Sequence, residues 1–273
     1  LPLVKGGKLH DVRITRIHLE EDAGRLQHSV DGKHSLVDFN RAGLPLMELV
    51  TEPDIKTADQ AVAFAKELQL ILRYLGVSNA DMEKGNMRVE ANISISTGNA
   101  LGTKVEVKNI NSFKAVRDAI AFETDRQTKE LNKISPTKTI YFNKLNPPVA
   151  ENIFSPGPMR IIQETRGWND VKKITESQRS KEEAHDYRYL PEPDLPPLTI
   201  DVFDINKLKN GIPELPEKKR ARLQKEYGLS ESQTEILIGE LAFADFFEQA
   251  VSEAKTFVKD NTMTQLVFNY LIS

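Results

Sequence analysis

Glu48 lies in the middle of an apolar run, Leu44-Pro45-Leu46-Met47-Glu48-Leu49-Val50, and a second acidic group, Glu20-Glu21-Asp22, closes on Gly24. A run of that kind reads as a short buried strand, and an ionised carboxylate buried without a partner costs several kcal/mol. Glu48 is therefore expected to meet a cation or a proton. One solution is a divalent metal shared with Glu21, because Mg²⁺ takes one or two carboxylates and completes its shell with water and phosphate. The other is an ion pair between Glu48 and Arg41, with Glu21 solvated. A second group, Arg88, Lys104 and Lys108, falls on the polar side of an alternating pattern and has the composition of a phosphate clamp. Cross-strand Lys/Glu pairs on a solvated sheet give the same pattern, and base rates for surface charge favour that reading.

The elements that must position these groups follow from periodicity. Residues 12–20 are rich in β-branched side chains and alternate, with Ile17 and Leu19 on one face and His18 and Glu20 on the other. Residues 35–40 form another short alternating strand, and the Glu48 strand follows. Thr57 to Gln60 is a capping box, after which Ala61, Phe64, Ala65, Leu68, Ile71 and Leu72 recur at helical spacing until Gly76. Met87, Val89, Ala91, Ile93 and Ile95 alternate with polar residues, as do Val105 and Val107, which predicts an antiparallel hairpin with one buried face. A second helix is predicted over residues 113–131. Periodicity fails across 134–162, where prolines gather, as in a surface insertion. Residues 163–175 read as one strand-like segment carrying the single tryptophan, Trp168, expected in the core. Residues 185–197, HDYRYLPEPDLPP, read as rigid and extended. From Glu217 the pattern is helical to the end. The fold class expected is α+β: a cradle of antiparallel sheet covered by helices over 1–208, then the start of an all-α domain over 209–273.

Composition narrows the chemistry. The 273 residues contain no cysteine, which excludes disulfides, thiol nucleophiles and thiolate metal sites. A formal net charge of -3 gives no global attraction to nucleic acid, so RNA binding would need a local patch. No stretch approaches the about 18 consecutive apolar residues of a membrane helix. No P-loop, dinucleotide fingerprint, protein-kinase loop or nucleophile elbow is present. Leu1 in place of methionine, and an end inside the apolar pattern Asn269-Tyr270-Leu271-Ile272-Ser273, give the expectation of a piece of a longer chain. The last apolar residues, Leu266 to Leu271, are then expected to lack packing partners.

The segments ITRIHLEEDAG (14–24), SLVDFNRAGLPLMELVTEPD (35–54), NMRVEANISIS (86–96), GTKVEVKNINSF (102–113), QETRGW (163–168), HDYRYLPEPDLPPL (185–198) and IPELPEKKRARL (212–223) resemble, in the same order, the B-subunit family of aspartyl/glutamyl-tRNA amidotransferases. The resemblance implies the activating component of an ATP-dependent carbon-nitrogen ligase. Such a component phosphorylates the side-chain carboxylate of Glu-tRNA(Gln) or Asp-tRNA(Asn), and ammonia from a partner amidase, the A-subunit, then displaces the phosphate. A small linker subunit completes the hetero-oligomer. It further implies Mg²⁺ on Glu21, as the second acid of HLEEDAG, and on Glu48, with Arg41, Arg88, Lys104 and Lys108 as candidates for ATP and its phosphates. Leu44 stands where the family commonly has threonine. The apparent insertion at 134–162 favours a mitochondrial matrix location over bacterial cytoplasm. Lacking the family's first segment and its tail, the piece alone is expected to be inactive. A non-catalytic tRNA-binding scaffold is the alternative, and a carboxylate-metal hydrolase the third reading.

Overall fold

A computed structural model describes residues 2–96, 98, 100–134, 161–180, 199–257 and 262–273. The expected insertion at 134–162 lies almost wholly outside them, and the HDYRYLPEPDLPP segment entirely so. The chain divides into two units, Leu1–Ala65 with Arg88–Leu198, and Lys66–Met87 with Thr199–Ser273.

In the first unit, β1 (Pro2–Lys5), β2 (Lys8–Leu9), β3 (Val12–Glu21) and β6 (Pro45–Thr51) form an antiparallel sheet. β3 is long enough to pair with β1 and β2 along one side and with β6 along the other. Between β3 and β6 the chain makes a separate two-stranded hairpin, β4 (Arg25–His28) and β5 (Ser35–Asp38). Its neck is closed by Asp22 N–H donating to Leu44 O at 2.8 Å and Gly43 N–H donating to Asp22 O at 2.9 Å. Gly43 has φ +78°, a conformation that costs other residues a Cβ clash.

α1 (Ala58–Tyr74) starts as its capping sequence requires: Thr57 Oγ1 accepts from the Gln60 N–H at 3.1 Å, and the Gln60 side chain accepts from the Lys56 N–H. Gly76, at φ +65°, ends it. The division between the units falls within α1.

The second sheet of the first unit has the order β10-β9-β8-β7, from β7 (Val89–Ile93), β8 (Val105–Ile110), β9 (Glu164–Asn169) and β10 (Ile174–Ser180). The predicted hairpin is present, with Ala91 opposite Val107 and Ile93 opposite Val105, all buried. Two expectations are corrected. The sheet is mixed, because β8 and β9 run parallel, which demands a long crossover, here containing α2 (Phe113–Ile134). The segment at 163–175 is also not one strand: it turns at 170–173 and returns as β10, with Lys173 supplying the left-handed residue at φ +55°. α2 packs on β7, β8 and β10 through Ala115, Val116 and Ala119, and Trp168 meets Phe122 edge to face at 6.3 Å. Trp168 is core, as expected.

A charged network runs through this helix-sheet layer. Glu123, fully buried, accepts from Arg126 Nε at 2.9 Å, from Gln127 Nε2 at 2.9 Å and from Thr175 Oγ1 at 2.9 Å. Arg166 Nε donates to that same Thr175 hydroxyl at 2.8 Å while its Nη1 reaches Glu164 at 2.6 Å. Burial alone would raise the Glu164 carboxyl, but the Ser177 hydroxyl and Arg166 outweigh it and hold it below the ordinary range.

The second unit is helical, with α3 (Ile205–Asn210), α4 (Pro216–Tyr227), α5 (Glu231–Ile238), α6 (Leu241–Phe257) and α7 (Thr262–Ile272). Leu223, Leu237, Ile238, Phe247, Val251 and Phe268 form its core. The expectation for the last helix is corrected in part: Phe268 is buried, and Val267 and Leu271 pack against the core, while Leu266 and Tyr270 are exposed. In the basic run of α4, KKRAR, three cations face carboxylates of their own unit. Lys219 meets Asp245 at 2.5 Å, Arg220 meets Glu67 at 2.8 Å, and Arg222 meets Glu214 and Glu248, each at 2.7 Å.

Candidate metal centre

β3 and β6 pair in a regular register from Arg16 opposite Val50 to Glu21 opposite Pro45, with His18 opposite Glu48. Side chains alternate across a strand and directly opposed residues share a face, so His18, Glu20 and Glu48 emerge together. One ligand atom from each lies within 4.8 Å of the others, and His18 Nδ1 is 3.4 Å from Glu48 Oε2. His18 is 4% exposed, which fixes the imidazole, while the Glu48 side chain is 47% exposed and has room to move towards a ligand.

Two corrections follow. Glu48 is not buried: β6 has β3 as its only strand neighbour among the described residues, so an apolar run that reads as a central strand is in fact an edge with Leu44 and Met47 also exposed. Nor does Glu48 meet Glu21. Alternation sends Glu21 to the opposite face, where its Oε1 lies 3.4 Å from the position a Cβ on Gly43 would take. The group that the geometry brings together is His18, Glu20 and Glu48, and Glu21 is not part of it. The sequence had already put His18 and Glu20 on one face; the register of β6 was the missing datum.

The remaining candidates sit elsewhere. Arg41 pairs with Asp22 at 2.7 Å across the hairpin neck. Arg88 and Lys104 are exposed, each one residue before a strand of the second sheet, β7 and β8. Lys108 lies between Glu90 at 3.4 Å and Glu106 at 3.7 Å, and Glu106 also accepts from Thr165 Oγ1 at 2.8 Å. The solvated-face pattern of cross-strand pairs therefore describes Lys108.

The acids after Glu48 fasten the far end of the site. Asp54 accepts from the Arg13 backbone N–H at 3.0 Å and from Arg13 Nε and Nη2 at 2.8 Å each, while Thr15 Oγ1 donates to Glu52 at 2.7 Å. The Arg13 side-chain hydrogen bonds hold the Asp54 carboxyl at about 2, against an ordinary 3.8. A depressed value means that this contribution to stability is present above pH 3.8 and is lost as the pH falls through about 2. Asp54→Asn is expected to cost about 1–2 kcal/mol at neutral pH. Urea unfolding should show that loss shrinking between pH 4 and pH 2; a pH-independent difference would exclude the ionised clamp as its cause.

An imidazole and two carboxylates form a donor set that suits a divalent cation accepting mixed nitrogen and oxygen ligands, with Mn²⁺ a better match than the all-oxygen preference of Mg²⁺. No helix among the described residues is long and apolar enough to cross a membrane. Fold and site together define an α+β protein whose first sheet carries a cluster of cation-binding composition. The family described as GatB/GatE catalytic domain matches residues 1–205, and the chain belongs to that family. It is 46% identical over 264 residues to the aspartyl/glutamyl-tRNA(Asn/Gln) amidotransferase B-subunit of Thermosipho melanesiensis, covering 93% of this chain and 50% of that protein. The same-named proteins of Herpetosiphon aurantiacus (46% over 250 residues, 91% of this chain, 47% of that protein) and Rickettsia felis (42% over 266 residues, 97% and 50%) are similar. The chain spans about half the length of the curated relatives it matches.

Proposed function

We propose that the chain is the carboxylate-activating part of the B-subunit of a tRNA-dependent amidotransferase, with the chemistry located in residues up to about 208. The observation that carries this is the convergence of His18, Glu20 and Glu48 on paired strands in a chain of this family. In the proposed reaction a carboxylate oxygen of Glu-tRNA(Gln) or Asp-tRNA(Asn) attacks the γ-phosphorus of ATP and ADP leaves. Ammonia from the amidase partner then attacks the activated acyl carbon, and inorganic phosphate departs with the electron pair of the broken C–O bond. A bound divalent cation would supply positive charge against the phosphate oxygens. His18 would hold that cation from its buried position, Glu20 would fix it from the same strand, and Glu48 would close from the edge strand. Arg88 and Lys104 remain candidates for phosphate, whereas Arg41 and Lys108 act through the carboxylates they already face. A small linker subunit would complete the assembly.

The test is amidation of mischarged tRNA by the full-length protein with its partners, with and without ATP. Amide product that requires ATP and is lost in His18→Ala supports the reading. Product formed without ATP, or at the normal rate in His18→Ala, would overturn it.

A further inference from the structure

Three of the motif segments, 86–96, 102–113 and 163–168, fall in and around the second sheet, and none of their residues enters the candidate metal centre. They meet on a helix that carries no motif. Gln127 of α2 is fully buried; its carboxamide donates from Nε2 to Ile93 O at 3.2 Å and accepts at Oε1 from the Ile95 N–H at 3.1 Å. In a parallel ladder, one residue of a neighbouring strand takes the C=O of the residue before its partner and the N–H of the residue after it. The Gln127 carboxamide therefore stands in for one residue of a neighbouring strand, just where β7 ends. Glu123 fixes which way round it sits. An ionised carboxylate only accepts, so the Gln127 nitrogen must face Glu123 Oε1, 2.9 Å away, and its oxygen the Ile95 N–H. From Glu123 the bonds run on to the Thr175 hydroxyl on β10, which also accepts from Arg166 of the 163–168 segment. The 102–113 segment closes on the same stretch of backbone: a Cβ on Gly102 would fall 1.9 Å from Ile95 O, so the approach requires glycine.

We propose that Glu123 and Gln127 form a strap that couples β10 to the end of β7, so that the Thr175 hydroxyl governs how often the backbone opens at Ile95. β10 and β7 stand at opposite ends of the sheet order among the described residues, and two strands separate them. Coupling through the strap is strong because Glu123 and Gln127 are closed to solvent. A link that is cut leaves a buried group unpaired rather than hydrated, and the neighbouring bonds readjust. Gln127 is thus a positioning residue for the connection between β7 and β8; it acts on backbone and needs no ligand.

The experiment is native-state amide hydrogen exchange, read residue by residue by NMR on the 273-residue chain. The quantity followed is the rate at Ile95 relative to that at Val107, which lies on β8 between β7 and β9 and shares any change in global stability. Gln127→Met is expected to raise that ratio about tenfold, as the Ile95 N–H loses its buried acceptor. Thr175→Val, across the sheet, should raise it about threefold, and Thr175→Ser, which keeps the hydroxyl, should leave it at the wild-type value. In the Gln127→Met background Thr175→Val should add nothing, because the strap is already cut. An unchanged ratio in Thr175→Val overturns the proposal. Equal effects of Thr175→Val with and without Gln127 overturn it too, as does an equal rise in Thr175→Ser. If Gln127→Met fails to fold, the contrast between Thr175→Val and Thr175→Ser decides alone.

Discussion

Glu48→Gln is expected to lower the affinity of the chain for Mn²⁺ by at least about tenfold to a hundredfold, the range already produced by losing groups that merely support a metal ligand. In the full-length enzyme it should abolish ATP-dependent amidation. The substitution is nearly isosteric and the side chain is 47% exposed, so the fold should survive. What is lost is the negative charge that the edge strand brings to His18 and Glu20. Glu21→Gln is the matched control. Its carboxylate leaves β3 on the other face, beside Gly43, and Mn²⁺ should bind that variant as it binds the wild type. Equal loss in both variants would mean that the β3–β6 register differs in solution; loss in Glu21→Gln alone would restore the ligand set implied by the motif.

The largest stability effect is expected at Glu123. Glu123→Ala removes the fully buried acceptor shared by Arg126, Gln127 and Thr175 and leaves Arg166, 14% exposed and 3.6 Å away, without its second carboxylate. Breaking a buried pair from one side costs about 3–5 kcal/mol because the remaining charge stays desolvated. Glu123→Gln keeps an acceptor while losing the charge, and should fall between the wild type and Glu123→Ala. Trp168, the single tryptophan, packs edge to face on Phe122 next to Glu123 on α2, so its fluorescence reports unfolding of this layer. A loss below about 1 kcal/mol in Glu123→Ala would show that water reaches the arginines, and the network would then be a surface feature.

Local signals made much of this fold legible. The Thr57 cap, the stop at Gly76 and the alternation through Val89, Ala91, Ile93, Val105 and Val107 are each written within a few residues, and each element formed where those residues placed it. What the sequence did not show were relations between distant segments. The parallel pairing of β8 with β9 joins residues about sixty positions apart, and no periodicity encodes it. The turn at 170–173 was missed because the positive φ falls on Lys173, where glycine or asparagine would have been the cue. Edge exposure misled in the same way: an apolar run is identical in sequence whether one partner strand or two flank it, so the burial inferred for Glu48 had no local check. At the site itself, alternation had correctly grouped His18 with Glu20. Glu21 follows both from the chemistry of the acidic group and from the resemblance, and a one-residue difference in a strand is a difference of face.

The closed neck at Asp22, Gly43 and Leu44 has a consequence for how this site can change over generations. The ligands on β3 and the ligand on β6 are joined through the whole β4–β5 excursion, yet their register is set by backbone bonds and the Asp22–Arg41 pair at the point where the excursion leaves and returns. Closing a longer excursion adds only about 0.6 kcal/mol for each doubling of its length. Residues beyond the neck can therefore be lengthened, shortened or rewritten while the distance between His18 and Glu48 stays fixed. The hairpin is free to acquire new contacts by drift, and the chemistry beneath it need not be reinvented each time.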